Sequence, residues 1–275
     1  MSKVQWIIEN LTKEESYKQL SDAVKAAGYP LIELNGDYSQ DLIDADARGF
    51  NNCVIFNGSI EMTKLIRRDI GDAYPIAYCD FEKYKCSAYY SHFGENLFND
   101  KYALMSLAEL QRQKFLIWGT FGKDSLIFIR PNSGEKTLQA QLLDIIDLDR
   151  FVATNDTIKH DLVLVSTPKN IKWEGRFICS PEKIITQSTY RFQGLVCKIP
   201  AVPVGATKLV DKILKVGYYP DRVFCVDVCQ DSDDNFWLLE LTSFSSAGLY
   251  ASNKTDIVRE VGKIVLDDYE CIKNS

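Results

Sequence analysis

In the first third of the chain, segments with the hydrophobic pattern of a strand alternate with segments whose apolar residues repeat at helical spacing. Residues 4–8 and 31–34 are short, mostly apolar runs typical of strands, and residues 17–27 repeat apolar positions at helical spacing before Gly28. Strand, helix and strand in this order predict a βαβ unit. The same succession follows at residues 53–56, 60–68 and 76–78. We therefore expect an α/β N-terminal domain, with a small parallel sheet and helices on its faces.

The pattern changes near residues 91–99, where polar residues interrupt it before a helix expected at about residues 102–111. We place the domain boundary there, with one domain at residues 1–94 and a second at residues 95–275. Strands in hairpins, with helices between them, are typical of an α+β fold built on antiparallel sheets. The expected strands lie at residues 126–130, 162–165, 176–179, 184–187, 223–229 and 236–242. A helix at residues 255–271 closes the chain.

Composition and charge narrow the class of protein. The 275 residues are 46% hydrophobic and 25% charged, which suits a globular enzyme with a substantial core. The net charge of −6 argues against general nucleic-acid binding, which depends on clustered Lys and Arg. Eight scattered cysteines favour reduced thiols over disulfides. Because no apolar run is long enough to cross a membrane and no signal-peptide pattern begins the chain, we expect a cytoplasmic protein.

Two apolar strands joined by an acidic turn predict a β-hairpin at residues 223–242. If the turn centres on residues 233–234, Asp227 faces Glu240 across the pair in an otherwise apolar setting. The residues expected on the same face are Cys225, Cys229, Leu238 and Thr242. Because two adjacent buried carboxylates repel, a Mg²⁺ ion between them is one interpretation. The alternatives are an exposed, solvated face, or a pair between Asp227 and a buried arginine.

Basic residues stand at two further strand ends. Arg130 ends an apolar strand that runs into a loop containing Gly134 and Lys136. Such a loop offers backbone and side-chain donors to phosphates, although a pair between Arg130 and a surface acid fits equally well. A second expected hairpin has residues 181–182 at its turn, so that Glu174 and Arg176 share one face. The residues expected opposite them are Gln187, Thr189 and Arg191.

The ordered succession of these motifs resembles the ATP-grasp superfamily, specifically the clade in which arginines occupy places usually held by lysine. The matching stretches are residues 128–131 with Lys136, 173–177, 188–191, 226–228 and 239–250. They fall within roughly residues 95–270, and the last stretch is the most specific. The resemblance implies an α+β ATP-grasp domain that holds a nucleotide in a cleft between two antiparallel-sheet subdomains.

The resemblance also implies a role for each matched residue. The expected phosphate contacts are Arg130, Lys136 and Arg176, and the expected adenine contacts, on a hinge strand, are Val165 and Ser166. The expected Mg²⁺ ligands are Asp227, Glu240 and Thr242. The expected catalytic residues are Arg176 and Arg191, of which Arg191 would contact phosphate or acceptor. Thr242 stands where the superfamily usually has asparagine, which is a stronger ligand than a hydroxyl.

The activity that the resemblance implies is an ATP- and Mg²⁺-dependent ligation of a carboxylate to an amine through an acylphosphate intermediate. The acceptor would be a small molecule, a peptide or a protein. Two alternatives stay open: phosphorylation of a small molecule by the same fold, and a nucleotide-binding module without catalysis. The departure at Thr242 is the reason to keep the last of these beside the ligase, which is the favoured hypothesis.

Overall fold

The computed structural model of the protein describes residues 4–10, 15–35, 52–69 and 73–274. Its first part is a four-stranded parallel sheet in the order β2-β1-β3-β4. The strands are β1 (Gln5–Glu9), β2 (Leu31–Leu34), β3 (Cys53–Asn57) and β4 (Tyr74–Ile76), and the helices are α1 (Glu15–Ala26) and α2 (Ile60–Asp69). The expected α/β architecture of this part is confirmed, with β4 two residues earlier than predicted.

The second part begins with helix α3 (Cys86–Phe93) and a small antiparallel sheet in the order β5-β8-β6-β7. Its strands are β5 (Tyr102–Ser106), β6 (Leu126–Pro131), β7 (Gln141–Asp144) and β8 (Leu162–Ser166). Its helices are α4 (Leu107–Arg112), α5 (Lys114–Phe121) and α6 (Leu148–Thr154). Ile127 and Ile129 pack towards these helices, so the alternate residues Phe128 and Arg130 face the other way.

A larger antiparallel sheet follows, in the order β11-β10-β9-β12-β13. Its strands are β9 (Ile171–Cys179), β10 (Ile184–Phe192), β11 (Leu195–Ile199), β12 (Phe224–Asp231) and β13 (Phe236–Ser243). Its helices are α7 (Val204–Leu214) and the C-terminal α8 (Lys254–Lys273). The two antiparallel sheets of the expected α+β region are confirmed.

The parallel sheet is covered on both faces, and every residue of β1 and β3 is buried. Trp6 and Ile8 share a core with Val24 of α1 and Val261 of α8. The alternate residue Ile7 packs on the opposite side, in a core that also contains Ile66 of α2. The C-terminal helix therefore joins the last part of the chain to the first.

The helix expected at residues 102–111 is wrong in its first half, which forms the strand β5. Tyr102–Ser106 pairs with β8, and the helix α4 starts only at Leu107. An apolar run of this length fits both periods, and pairing with β8 decides between them. The Ser106 side chain accepts a hydrogen bond from the Glu109 backbone N–H, at 3.2 Å, and this capping pattern marks the helix start in the sequence.

Helix α3 was not expected. Its residues Tyr89 and Phe93 share a core with Phe177 and Val226 of the large sheet. The last residues of the expected first domain therefore pack with the second part of the chain, and the division between residues 94 and 95 stays a prediction. No described helix is both long and apolar enough to cross a membrane, and the compartment also stays a prediction.

Candidate active site

A cavity of about 610 Å³ opens between the two antiparallel sheets. Strand β6 and the loop after it form one wall, strands β9 and β13 form another, and residues 243–250 close one end. Five expected site residues line this cavity, and they are Arg130, Lys136, Arg176, Glu240 and Thr242. Residues that are far apart in the sequence thus meet where the resemblance placed a nucleotide.

Asp227 lies opposite Glu240 in the β12–β13 ladder, as the turn spacing predicted. The register then shifts by one residue, because Val228 pairs with Leu238 and leaves Leu239 as a bulge. A bulge reverses the alternation of side chains, so Leu238 faces the apolar core and not the side of the two acids. The expected place of Leu238 is therefore wrong, and the sequence pattern carried no signal for the extra residue.

The two acids do not lie in an apolar setting, because basic side chains surround them. The Arg176 guanidinium donates to both carboxylate oxygens of Asp227, from Nε to Oδ1 at 2.8 Å and from Nη2 to Oδ2 at 2.7 Å. Both side chains are almost fully buried, with exposed fractions of 6% and 1%. Burial raises the pKa of Asp227, and the adjacent guanidinium opposes that rise. The structure thus has the buried arginine pair that was one of the three interpretations.

Glu240 contacts cations from the opposite wall of the cavity. Arg130 donates from Nη2 to Glu240 Oε2 at 2.7 Å and from Nη1 to the Leu239 carbonyl at 3.2 Å. Lys136 Nζ lies 3.9 Å from Glu240 Oε1. Burial acts to raise the pKa of Glu240, but the charges of Lys136, Arg130 and Arg176 outweigh burial and hold this pKa at about 2. Glu240 is therefore ionised throughout the physiological pH range.

Some buried polar atoms at the cavity have no hydrogen-bond partner among the described residues. They include Nε of Arg130 and Oγ1 of Thr242. A donor fits an incoming phosphate oxygen, and a hydroxyl oxygen beside two carboxylates fits a hard divalent cation. In the described ranges no group of three or more His, Cys, Asp and Glu side chains could hold a metal ion, and the two carboxylates Asp227 and Glu240 stand with the hydroxyl of Thr242 instead. The residues fit both a phosphate chain and Mg²⁺.

The loop between β6 and β7 approaches helix α3 and the segment before it. An added Cβ atom at Gly134 would lie 2.8 Å from Tyr84 Cβ and 3.0 Å from the Phe81 carbonyl oxygen. The distance of 2.8 Å is shorter than the contacts that Cβ atoms make in proteins, so only glycine fits at this position. Asn132 Oδ1 also accepts a hydrogen bond from the Ser87 backbone N–H at 2.7 Å. These contacts hold the loop in place and bring Lys136 to Glu240.

Arg191 lies away from the cavity, at half exposure, with Nη1 3.3 Å from Glu174 Oε1. The expected turn at residues 181–182 is present, since Ser180 and Lys183 exchange backbone hydrogen bonds. Two register shifts in the β9–β10 ladder nevertheless change the expected partners, so that Ser188 faces Arg176 and Arg191 faces Glu174. The expected facing positions of Gln187 and Thr189 are therefore wrong, because bulges add residues that a symmetric hairpin lacks.

Val165 and Ser166, the expected adenine contacts, are fully buried and do not line the cavity. Both belong to β8, which has β5 on one side and β6 on the other. Ser166 Oγ donates to Asn99 Oδ1 at 3.1 Å. Their backbone groups are hydrogen-bonded within the sheet. The adenine contacts expected at these two residues stay a prediction, and the lining of the cavity does not support it.

Two residues near the cavity, Tyr17 and Lys254, were missed, whereas Tyr250 ends a stretch that the resemblance matched. Tyr17 reaches the cavity from α1, and Tyr250 lines its end with the ring stacked on Tyr190 at 4.9 Å. Lys254, which is buried, donates to the carbonyls of Tyr250 and Ser252 at 2.7 and 2.8 Å. Burial lowers the pKa of Lys254 to about 8. A lysine in the first turn of a helix opposes the helix dipole, and this was the available signal for Lys254.

Comparison with known proteins gives matches by structure alone. No protein-family model and no curated protein matches the sequence. D-cycloserine synthetase DcsG is similar with a TM-score of 0.64 at 10% identity, over 95% of this chain and 99% of that one. D-alanine–D-alanine ligase from Bacillus anthracis has a TM-score of 0.57 at 11% identity, over 100% and 99% of the two chains. The ATP-grasp ligase PsnB, complexed with a minimal precursor, Mg and ADP, has a TM-score of 0.55 at 10% identity, over 98% and 97%.

Similarity at such low identity shows the fold, and the arrangement of sheets agrees with it. The parallel sheet precedes two antiparallel sheets, and the cavity with the expected residues lies between the latter two. The three compared structures match over nearly their whole length and are named a synthetase and two ligases, of which PsnB is named an ATP-grasp ligase. The chain has the ATP-grasp fold.

Proposed function

We propose that the protein is an ATP- and Mg²⁺-dependent ligase that joins a carboxylate to an amine through an acylphosphate intermediate. The observation that carries the proposal is the charge of the cavity. Three cations, Arg130, Lys136 and Arg176, surround the two carboxylates Asp227 and Glu240. The excess of positive charge suits an anionic ligand with a bound divalent cation.

The cavity residues divide the binding of ATP between them. Arg130, Lys136 and Arg176 contact phosphate oxygens, and the partnerless Nε of Arg130 supplies a donor. The base lies on the cleft face of the small sheet, where Phe128 pairs with the exposed Leu142 and gives an apolar surface. This place for the base replaces direct contacts to Val165 and Ser166, whose backbone groups are engaged within the sheet.

The acidic hairpin holds the metal. Asp227, Glu240 and Thr242 are the protein ligands, and Glu240 is ready as an ionised oxygen donor because its pKa is held at about 2. Mg²⁺ held by these residues would supply positive charge against the phosphoryl group during its transfer. The arginines stabilise the same charge, so the protein acts by positioning and electrostatics and needs no covalent side chain. Arg191 lies outside the cavity and pairs with Glu174, so its expected catalytic role has no place in this arrangement and stays a prediction.

The acceptor is a small molecule, a peptide or a protein. DcsG and D-alanine–D-alanine ligase are named for small products, whereas PsnB was solved with a precursor peptide. The end of the cavity near residues 243–250 has small and hydroxyl-bearing residues, among them Ser246, Ala247 and Gly248. Small side chains leave room for an acceptor near the phosphates.

A nucleotide-binding module without catalysis is the second candidate, and the bidentate Arg176–Asp227 pair favours it. Both oxygens of one proposed metal ligand are engaged, and Thr242 replaces a stronger ligand. A module of this kind binds nucleotide without consuming it.

The test is to incubate the protein with Mg²⁺, ATP and pools of amino acids and peptides, and to analyse nucleotides and products by mass spectrometry. A ligase releases ADP and phosphate and forms a product that is one water lighter than its two precursors. Phosphate retained on the product would instead indicate a kinase. Calorimetry that detects nucleotide binding without any ADP formation would favour the module, and an absence of ATP and ADP binding would overturn both candidates.

A further inference from the structure

In the Arg176–Asp227 ion pair, both carboxylate oxygens of Asp227, a proposed metal ligand, accept hydrogen bonds from the guanidinium. Each carboxylate oxygen of Asp227 accepts one charge-assisted hydrogen bond, at 2.8 and 2.7 Å. The pair lies inside the large sheet, where Asp227 on β12 faces Arg176 on β9 in the ladder. A cation that approaches either oxygen therefore meets the positive guanidinium directly beside it, and the two charges repel as long as these bonds are kept.

Arg176 also lines the cavity, so its guanidinium lies between Asp227 and the proposed place of the phosphates. Its Nη1 donates to the Gly248 carbonyl at 3.0 Å, and its carbon Cζ lies 5.1 Å from the centre of the Tyr250 ring. Phosphate oxygens that enter the cavity compete with the carboxylate for the same planar set of donors. The side chain thus has two alternative anionic partners, one in the protein and one in the ligand.

The surrounding charges also oppose a free divalent cation. Arg130 and Lys136 lie beside Glu240, and both repel a metal ion that approaches without its phosphates. A nucleotide changes the balance, because its phosphates bring several negative charges and attract the three basic side chains. Charge alone therefore makes metal binding dependent on nucleotide.

We propose that Arg176 blocks Asp227 in the nucleotide-free protein, and that a divalent cation binds Asp227 only after the phosphates of a nucleotide draw the guanidinium away. The order of binding is then built into the site: metal and nucleotide enter together, and the metal alone does not bind. This inference rests on the proposed function, because it takes the cavity to be the nucleotide site. It gives the ion pair a function: the pair prevents a metal ion from binding Asp227 until a phosphate chain is present.

The test uses Mn²⁺ as the probe, with its free concentration followed by electron paramagnetic resonance. In the presence of AMPPNP the parent protein should bind Mn²⁺ beyond the amount that the same concentration of AMPPNP binds without protein, and at least about tenfold more tightly than it does without nucleotide. Arg176→Met should bind Mn²⁺ without nucleotide at least about tenfold more tightly than the parent does. Adding Asp227→Asn to Arg176→Met should remove this binding.

Arg191→Met is the matched control. Arg191 comes from the adjacent strand and pairs with Glu174, so its loss should leave the affinity for Mn²⁺ unchanged. Arg176→Lys covers the case in which Arg176→Met does not fold, because lysine keeps the charge but cannot occupy both oxygens, and its Mn²⁺ affinity should exceed that of the parent.

Equal Mn²⁺ affinity of the parent with and without AMPPNP, or equal affinity of parent and folded Arg176 variants without nucleotide, would overturn the proposal. A failure of the proposed function gives a different result. If AMPPNP does not bind at all, the nucleotide site is refuted, whereas the Mn²⁺ affinities of the nucleotide-free variants still decide whether Arg176 blocks Asp227.

Discussion

The two acid–base pairs of the cavity are built in different ways. Arg176 and Asp227 belong to neighbouring strands of one sheet, and their ion pair is buried. Arg130 and Glu240 belong to different sheets, and their ion pair spans the cleft, with Glu240 19% exposed. The first pair depends only on the ladder between β9 and β12, whereas the second depends on how closely the two sheets approach. Strand pairing alone therefore brings the first pair together, whereas the second pair depends on the separation of the two sheets.

Breaking the pair inside the sheet should have the largest effect on stability. Asp227→Asn leaves the buried Arg176 charge without its carboxylate, and losing one partner of a buried pair costs about 3–5 kcal/mol. Urea denaturation without metal or nucleotide measures the change. Asp233→Asn is the control, because Asp233 lies in the exposed turn of the same hairpin and its loss should change little. Equal stability of Asp227→Asn and the parent would contradict the buried pair.

Removing a cation from the cleft should act on ligand and leave the fold intact. Lys136 is 53% exposed, so Lys136→Ala should leave the melting temperature unchanged. Its loss should weaken ATP binding by about 1.5–3 kcal/mol, which corresponds to about ten- to a hundredfold in affinity. Calorimetry with MgATP measures this change. Lys159→Ala removes a surface lysine whose partner is Asp156, and this control should bind ATP as the parent does.

Breaking the pair across the cleft should cost less stability than breaking the pair inside the sheet. In Glu240→Gln the side-chain carbonyl still accepts from Arg130, so we expect a loss of about 1 kcal/mol in the free energy of unfolding. The same change should abolish turnover, because a proposed metal ligand loses its charge. Denaturation curves and ADP release, measured side by side, separate the two effects. A Glu240→Gln protein as unstable as Asp227→Asn would contradict the comparison.

A further effect of the pair across the cleft should be the dependence of stability on acid pH. Glu240 has a pKa of about 2 in the folded protein against an ordinary value of 4.5, so its ionised form favours the folded state. This contribution is complete above pH 4.5 and is lost as the pH falls from 4.5 towards 2. Urea denaturation at a series of pH values should show a steeper acid loss for the parent than for Glu240→Gln. Parallel curves would show that Glu240 is not held ionised by its neighbours.

Local sequence patterns predicted most of the helices and strands correctly. Errors arose where one run of residues fitted both a helix and a strand, and where an extra residue shifted the register of a strand pair. The helix in place of β5 came from an apolar run that fits two periods, and only pairing with β8 separated them. The facing residues of the β9–β10 hairpin were wrong because bulges are not visible in an alternating pattern. The expected pairing of Asp227 with Glu240 was right because two departures offset each other. The strand pairs next to the turn centre on residue 233, and the extra residue Leu239, between the turn and Glu240, moves the pairing back by one position.

The sequence by itself determined that two acids face each other on a hairpin and that arginines and a lysine stand on strands and a loop nearby. Alternation and turn position are local properties, so they can be counted along the chain. Only the tertiary structure decided which cation meets which acid, since Arg176 and Asp227 are 51 residues apart and Arg130 and Glu240 are 110 apart. These partners are set by the order of strands in one sheet and by the approach of two sheets, and neither follows from local spacing.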